Sequence, residues 1–170
     1  MKIQHSTSKD IDSIFRLYRI ATEYQRLKFA DNVWPDFERE LVQKEIKEQR
    51  QFKLTIEGKI ACIWAITYND PEIWGEKDNM PSIYVHRIAV DPDFRGNNLI
   101  ADLVEWAKSY ATSKGKQYIR LDTCGNNIKL IRHYTKAGFE FLGMQKLQKV
   151  NTLPSHYHNA DVCYFEMKLS

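Results

Sequence analysis

The chain has few cysteines and lacks long apolar runs. Its 170 residues include three cysteines, an odd number without a C-x-x-C pair, which argues against a disulfide framework. No apolar run approaches the roughly 18 residues that cross a membrane, and the first residues lack the apolar core of a secretory signal. We therefore expect a cytoplasmic protein of a reducing compartment that has no membrane partner.

The cysteines and histidines do not predict a metal site. Cys62 and Cys163 lie in apolar, strand-like runs, where a cysteine usually serves as a small core residue. Cys124 follows a predicted strand, and we interpret it as structural rather than catalytic or redox-active. His156 and His158 are two residues apart, but no cysteine or histidine stands at zinc-like spacing from them.

The positive charge is modest and unevenly distributed. The net charge is +3, yet residues 95–149 contain ten Lys and Arg against four Asp and Glu. Such an excess suits a ligand that carries several phosphate charges. The basic residues are scattered and no binding motif accompanies them, so we predict no nucleic-acid partner.

Hydrophobic periodicity predicts one domain, residues 1–170, with a mixed α/β fold. A capped helix begins after Thr7 or Ser8, and the stretch 69–81, with two prolines and a glycine, is expected to be a loop. The other predicted elements are a short strand at 2–5, a helix at 37–50, a hairpin at 52–68, strands at 83–90, 118–121, 139–150 and 162–169, and helices at 98–114 and 128–138.

The segment IAVDPDFRGNNLI at residues 88–100 predicts a strand, a tight turn and a helix start. A helix that begins directly after a strand points its first unpaired N–H groups, and the positive end of its dipole, at whatever lies in the turn. Arg95 adds a charge at the same place. The segment is therefore a candidate anion site.

A second segment allows the first one to be interpreted. Asn127 is followed seven residues later by Tyr134 and then by Gly138-Phe139, the pattern N-x(6)-Y-x(3)-G-F. Together the two segments resemble the GNAT superfamily of acyl-CoA-dependent N-acetyltransferases, and the element order agrees over nearly the whole chain. The resemblance implies a central twisted mixed sheet of six to seven strands flanked by about four helices.

The resemblance also implies a site for the co-substrate acetyl-CoA or another acyl-CoA. In the family, a V-x-P-x-x-[RQ]-G-x-G-x-[GA] segment holds the CoA pyrophosphate, the preceding strand pairs with the pantetheine arm, and the Asn contacts that arm. The residues in these positions are Ile88, Ala89, Val90, Arg95, Gly96, Asn97, Asn98, Leu99, Ile100, Asn127 and Tyr134.

The pyrophosphate segment departs from the family pattern at two positions. Asn98 stands where Gly is expected, and Asn is the non-Gly residue that best tolerates left-handed geometry. Ile100 stands where Gly or Ala is expected. Its side chain is harmless if it points into the core, and it weakens CoA binding if it points at the pyrophosphate.

Two residues are candidates for catalysis. The resemblance makes Tyr134 the proton donor to the CoA sulfur, with a core Tyr as the alternative. The segment YVHRIAV at 84–90 resembles the H-x-H-A-L-A-V strand of the arylalkylamine acetyltransferases, which makes His86 the candidate base. Imidazole, with a pKa near ~6.5, is suited to this role. Tyr84 replaces the first histidine of that pair, so the preference for one amine stays open.

The acceptor pocket is predicted from residues near the expected sheet edge and from aromatic loops. Asp122 ends a predicted strand, and it either holds an ammonium group or caps the following turn. The other proposed wall residues come from the 24–29 region, from Tyr84, Trp34 and Trp74, and from His156 and His158. Their aromatic content suits an apolar or aromatic acceptor.

The predicted function is direct acyl transfer, most simply acetyl transfer, to a primary amine of a small molecule or amino acid. The protein is expected to be a monomer or a homodimer. The alternative is a regulatory or interaction module that binds CoA but has lost efficient catalysis, and it is motivated by Asn98 and Ile100.

Overall fold

The computed structural model describes residues 1–28, 32–148 and 151–170. Within them, short 3₁₀ turns connect seven strands and five α-helices. The strands are β1 Lys2–His5, β2 Gln51–Ile56, β3 Lys59–Thr67, β4 Ser82–Val90, β5 Tyr118–Cys124, β6 Glu140–Lys146 and β7 Asp161–Lys168. The helices are α1 Ile11–Lys28, α2 Arg39–Lys47, α3 Pro71–Trp74, α4 Leu99–Ser113 and α5 Ile128–Lys136.

The mixed α/β prediction is confirmed, with differences in detail. The stretch 69–81, predicted as a loop, contains the short helix α3 and a 3₁₀ turn, Gly75–Asn79. Pro71 occupies the first helical position, where its missing N–H costs nothing. The strand predicted to reach Val150 ends at Lys146, and Val150 lies outside the described residues.

All seven strands form one sheet, in the order β1-β2-β3-β4-β5-β7-β6. The β4–β5 pair is parallel, and the other five described pairs are antiparallel. β4 and β5 pair only from Ser82–Tyr118 to Tyr84–Arg120. Beyond this point β4 continues to Val90, while β5 pairs along its whole length with β7. The two strands therefore separate in the middle of the sheet.

Side chains of alternate residues place helices on both faces of the sheet. Trp64 and Ile66 of β3 pack on the face covered by α4, together with Leu103 and Phe165. Ile63, the residue directly before Trp64, packs on the opposite face against α1 and α2. This period-2 pattern is the one expected for a strand that is buried on both sides.

A β-bulge interrupts β4 next to His86. Ile63 pairs with Ala89 and Ala65 with His86, so the single residue Trp64 lies opposite two residues of β4. One of them, Arg87, has a φ of +49°. Such a φ is rare for a residue other than glycine and is maintained only where surrounding contacts hold it.

Those contacts come from α1 and α2. The Arg87 guanidinium donates to both carboxylate oxygens of Glu45 in α2 and, at 3.1 Å, to the Tyr18 hydroxyl in α1. It also lies 5.2 Å from the centre of the Phe37 ring. Glu45 is only 2% exposed, so this ion pair is buried. The two helices thereby hold the bulge in place.

We expect Glu45→Gln to destabilise the protein by about 3 kcal/mol, because it leaves the buried Arg87 without a counter-charge. Urea unfolding measures the change. Glu48→Gln is the matched control: its exposed carboxylate bonds to Arg50, and its loss should leave the unfolding midpoint almost unchanged. Equal effects of the two substitutions would contradict the structural role of the buried pair.

Candidate active site

A cavity of about 700 Å³ opens where β4 and β5 separate. This volume is in the range of small-molecule sites. Its wall is formed by the second half of β4, the end of β5 with the following turn, the last turns of α1, one face of α5 and the 153–157 turn. Residues that are distant in sequence, among them Arg95, Asp122 and Tyr134, therefore line one space.

The strand-turn-helix segment lies at one end of this cavity. The Asp91 carboxylate accepts the Asp93 N–H at 3.0 Å and is itself held by Arg16 at 2.6 Å. Gly96 has a φ of +88°, and Asn98 is left-handed at φ 54° and ψ 37°, just before α4 begins. Asn thus adopts the conformation for which the family uses Gly.

Of the predicted loop residues, only Arg95 lines the cavity, with its guanidinium 5.3 Å from the centre of the Tyr24 ring. Leu99 and Ile100 are 4% and 8% exposed and pack in the core under the sheet. The Ile100 side chain therefore points inward, which is the harmless orientation of the two that the sequence left open. The side chains of residues 96–100 do not border the cavity.

Asn127 and Tyr134 are brought to the cavity by helix α5. Asn127 caps the helix, since its Oδ1 accepts the Leu130 N–H at 3.2 Å. Tyr134 lies two turns later on the inner face and is 7% exposed, against Phe139 and Phe165. Burial raises the pKa of its phenol well above the ordinary value, and the nearby Cys62 adds to this. Tyr134 therefore remains a proton donor at neutral pH.

His86 lies in the cavity wall and bonds to a neighbouring strand. Its Nε2 lies 2.8 Å from the Thr67 Oγ1 on β3. Burial, reinforced by the positive charges of Arg87 and Arg50, lowers the pKa of His86 to about 3. The ring is therefore neutral at physiological pH, and it is a weaker proton acceptor than a free imidazole.

Two carboxylates accompany His86. A carboxylate oxygen of Asp70, a ring nitrogen of His86 and a carboxylate oxygen of Asp122 lie within 4.8 Å of one another. Burial raises the pKa of Asp70 to about 7, and the charges of Asp122, Asp78 and Glu72 contribute. Burial also raises the pKa of Asp122 to about 6, against the opposing effect of a hydrogen bond from Tyr157 Oη at 2.8 Å.

The sequence identifies the protein family to which the chain belongs. Residues 13–139 match the acetyltransferase (GNAT) family. The chain belongs to the GNAT acetyltransferase family. The recognition made from the two motifs is confirmed. Among the described residues, no helix combines the length and apolar character that crossing a membrane requires.

This GNAT chain is similar in sequence or in fold to several other acetyltransferases. It is 36% identical over 74 residues to YesJ, an uncharacterised N-acetyltransferase of Bacillus subtilis, a match that covers 44% of this chain and 41% of YesJ. A GNAT family acetyltransferase from Listeria monocytogenes shares the fold with a TM-score of 0.78 and 19% identity, over 99% of this chain and 94% of the other. YncA of Salmonella typhimurium, solved with acetyl-CoA, matches with a TM-score of 0.70 and 14% identity over 100% and 94%.

The predicted acceptor residues of this GNAT chain fall into two groups. Trp34, Asp122 and His156 line the cavity, as do Tyr24 and Gln25 of the predicted 24–29 region; Phe29 lies outside the described residues. Tyr84, Trp74 and His158 do not border it: the first two pack in a separate core cluster, and His158 is exposed, with its Nε2 3.2 Å from the Leu153 carbonyl.

Tyr84 and Trp74 pack against Arg120 instead of lining the cavity. Its guanidinium donates to the Tyr84 hydroxyl at 3.1 Å and lies 4.9 Å from the centre of the Trp74 ring. Arg120 is 2% exposed and also pairs with Glu166 at 2.7 Å. The two aromatic rings shield this buried charge.

Cys124 also lines the cavity. Burial, with smaller contributions from Asp122 and Cys163, raises the pKa of its thiol well above the ordinary value. A thiol that stays protonated is a poor nucleophile, which agrees with the structural interpretation of this residue.

Asp70 and Tyr157 were not predicted as site residues from the sequence. Asp70 belongs to a stretch that was interpreted only as a loop, and its signal was an Asp directly before a proline, a common helix start. Tyr157 carried no signal, because its role depends on the fold of the 153–157 turn back over β5.

The left-handed geometry of Asn98 is directly testable. Asn98→Val should lower the melting temperature by about 3–6 °C, since a β-branched side chain is strained at positive φ. Asn98→Gly should melt close to the wild type. Asn97→Val provides the control at the next position, where φ is not positive. A melting temperature for Asn98→Val that equals the wild type would refute the conformation.

Proposed function

We propose that the chain is an acyl-CoA-dependent N-acyltransferase that uses acetyl-CoA and acylates a primary amine of a small molecule or amino acid. The observation that carries the proposal is the cavity between the separated strands, which has Arg95, the part of β4 beyond its pairing with β5 and a protonated tyrosine in its wall. Family membership and the acetyl-CoA found in YncA support it.

The residues of the cavity fit a CoA thioester. The edge of β4 from Ile88 to Val90, beyond the bulge at Arg87, lies where pairing with β5 has stopped, so extended backbone is available there to a pantetheine arm. At the far end of that edge, Arg95 and the first N–H groups of α4 suit the pyrophosphate. The inward side chain of Ile100 leaves this end unobstructed.

Direct transfer needs a neutral amine and a proton for the leaving thiolate. The amine nitrogen attacks the thioester carbonyl carbon, a C–N bond forms, and the C–S bond breaks. Tyr134 is our candidate to protonate the departing sulfur, and the second proton lost by the nitrogen restores its phenol. His86, the base expected from the sequence, has a pKa of about 3 and therefore little driving force to take the first proton from the ammonium group.

Tyr134→Phe tests the transfer step. Turnover should fall at least about tenfold, because the thiolate loses its proton donor, while acetyl-CoA affinity stays within about twofold. Thiol release and calorimetry measure the two quantities. Tyr68→Phe is the control, since its exposed hydroxyl bonds to the hydroxyl of Tyr110 in α4 and neither residue lines the cavity. Unchanged turnover in Tyr134→Phe would refute the assignment.

Titration of the wild type with acetyl-CoA tests the co-substrate. Calorimetry should give a micromolar dissociation constant, because the cavity offers both a backbone edge and an anion site. Absence of heat at high concentration would refute the proposal. Binding without CoA release from any amine in a panel would instead favour the alternative, a regulatory module that binds CoA without efficient catalysis.

A further inference from the structure

The carboxylates of Asp70 and Asp122 differ from the buried acidic groups elsewhere among the described residues. Asp10, Glu45 and Asp91 are buried, and each has a cationic partner: Lys53 at 2.7 Å, Arg87, and Arg16 at 2.6 Å. Asp70 and Asp122, from separate elements, form no ion pair with any described residue.

Both carboxylates face a space that a positively charged ligand could enter. Both carboxylates line the cavity, and both come close to the neutral ring of His86. Arg87, a cation of the cavity wall, is already neutralised by Glu45. A partly buried pair of carboxylates without a cation is unfavourable unless a proton or a positively charged ligand compensates it.

The surroundings offer room for an alkyl chain beside the charged groups. Trp34 and Phe37 line the cavity, with ring centres 5.9 Å apart and edge-to-face. The His156 ring lies 6.4 Å from Phe37 and extends the same wall. Burial lowers the pKa of His156 to about 4, so it adds no positive charge at neutral pH.

We propose that Asp70 and Asp122 bind the acceptor as an alkylammonium cation and that Asp70 takes its proton before transfer. This inference rests on the function proposed above. It also narrows the acceptor class, because a free amino acid would bring its α-carboxylate next to two aspartates. The acceptor is therefore an alkylamine without a carboxylate beside the amine.

The protons balance in this scheme. The ammonium nitrogen gives one proton to the Asp70 carboxylate and becomes a neutral amine with a free electron pair. That pair forms the C–N bond, the C–S bond breaks, and a second nitrogen proton reaches the thiolate through Tyr134. Asp70 then releases its proton to solvent. The net products are an amide, a free thiol and one proton.

The ionisation of Asp70 is set by groups on every element around it. Burial of the carboxyl group opposes its ionisation, and so do the negative charges of Asp122, Asp78 and Glu72. Asp70 is therefore half ionised only at a pH of about 7. The other titratable groups that face it are His86, Tyr157 and Tyr164. The neutral, weakly basic His86 leaves Asp70 as the stronger proton acceptor.

Binding of two matched probes tests the cation site without acyl-CoA. Pentylamine and norleucine differ only by the α-carboxylate, and calorimetry at pH 7.5 should show the amine binding more tightly. Asp70→Asn and Asp122→Asn should each weaken pentylamine at least about tenfold, because a charge-assisted contact is lost. Glu76→Gln, which changes an exposed carboxylate of the 3₁₀ turn after α3, should bind like the wild type. Equal affinity for the two probes, or no effect of the aspartate variants, would overturn the proposal.

The pH profile separates proton transfer from simple charge attraction. With pentylamine, kcat/KM of the wild type should rise through a pH of about 7, as Asp70 ionises in the free enzyme. In Asp70→Asn this limb should move down to a pH of about 6, where Asp122 ionises, and the plateau should fall at least about tenfold. A limb that stays at pH 7 in Asp70→Asn would overturn the assignment of Asp70 as proton acceptor.

Thermal melting shows whether the charge of Asp70 is uncompensated. The pKa of Asp70 is raised from its ordinary value of 3.8 to about 7. The folded protein therefore loses stability relative to the unfolded chain as the pH rises from about 4 to about 7. Asp70→Asn should therefore melt about 2–4 °C above the wild type at pH 8 and equal to it below pH 4. A variant that melts below the wild type at pH 8 would overturn the premise.

Titrations with acetyl-CoA and with metal ions distinguish failure of this inference from failure of the proposed function. If acetyl-CoA binds and other amines are acetylated, but pentylamine does not bind, the inference fails while the proposed function stands. If acetyl-CoA does not bind, the function fails independently of the amine titration. Tight binding of Zn²⁺ or Mg²⁺ that blocks pentylamine and is lost in Asp70→Asn would identify a metal site and overturn the proposal.

Discussion

The separation of β4 from β5 is the constraint on which the site depends. Two parallel strands that pair over three residues and then diverge leave main-chain groups and side chains of both strands facing a gap. The sheet stays intact because β5 pairs over its whole length with β7 on the other side, and β4 pairs with β3. The cavity is thus an opening within a continuous sheet, rather than a cleft between separate layers.

A buried ion pair holds the bulge of β4 beside the gap. Arg87, in the bulge of β4, is fixed by Glu45 and Tyr18 of the two helices below. Its bond to Glu45 neutralises the cation, yet the positive charge still lowers the pKa of the adjacent His86. The same contact therefore stabilises an unusual backbone conformation and sets the protonation state of a ring that lines the cavity.

Charge compensation also distinguishes scaffold from site. The buried carboxylates that hold helices and turns have arginine or lysine partners within the fold. The two carboxylates that face the cavity have none among the described residues, and burial raises the pKa of both. A fold that pairs its other buried acids and leaves these two facing a cavity is organised to receive a cation there.

The sequence by itself determined the order of elements, the family and the two motifs, because apolar periodicity, capping residues and the N-x(6)-Y-x(3)-G-F spacing are local. It predicted that Asn98 would tolerate a left-handed turn, but the direction of Ile100 required the packed core. Trp74 was predicted to cover a pocket, whereas the structure packs it against Arg120, since a buried guanidinium needs aromatic and polar neighbours. The meeting of Asp70, His86 and Asp122 was decided only by tertiary structure, because it depends on where three separate segments end around a gap that no local pattern encodes.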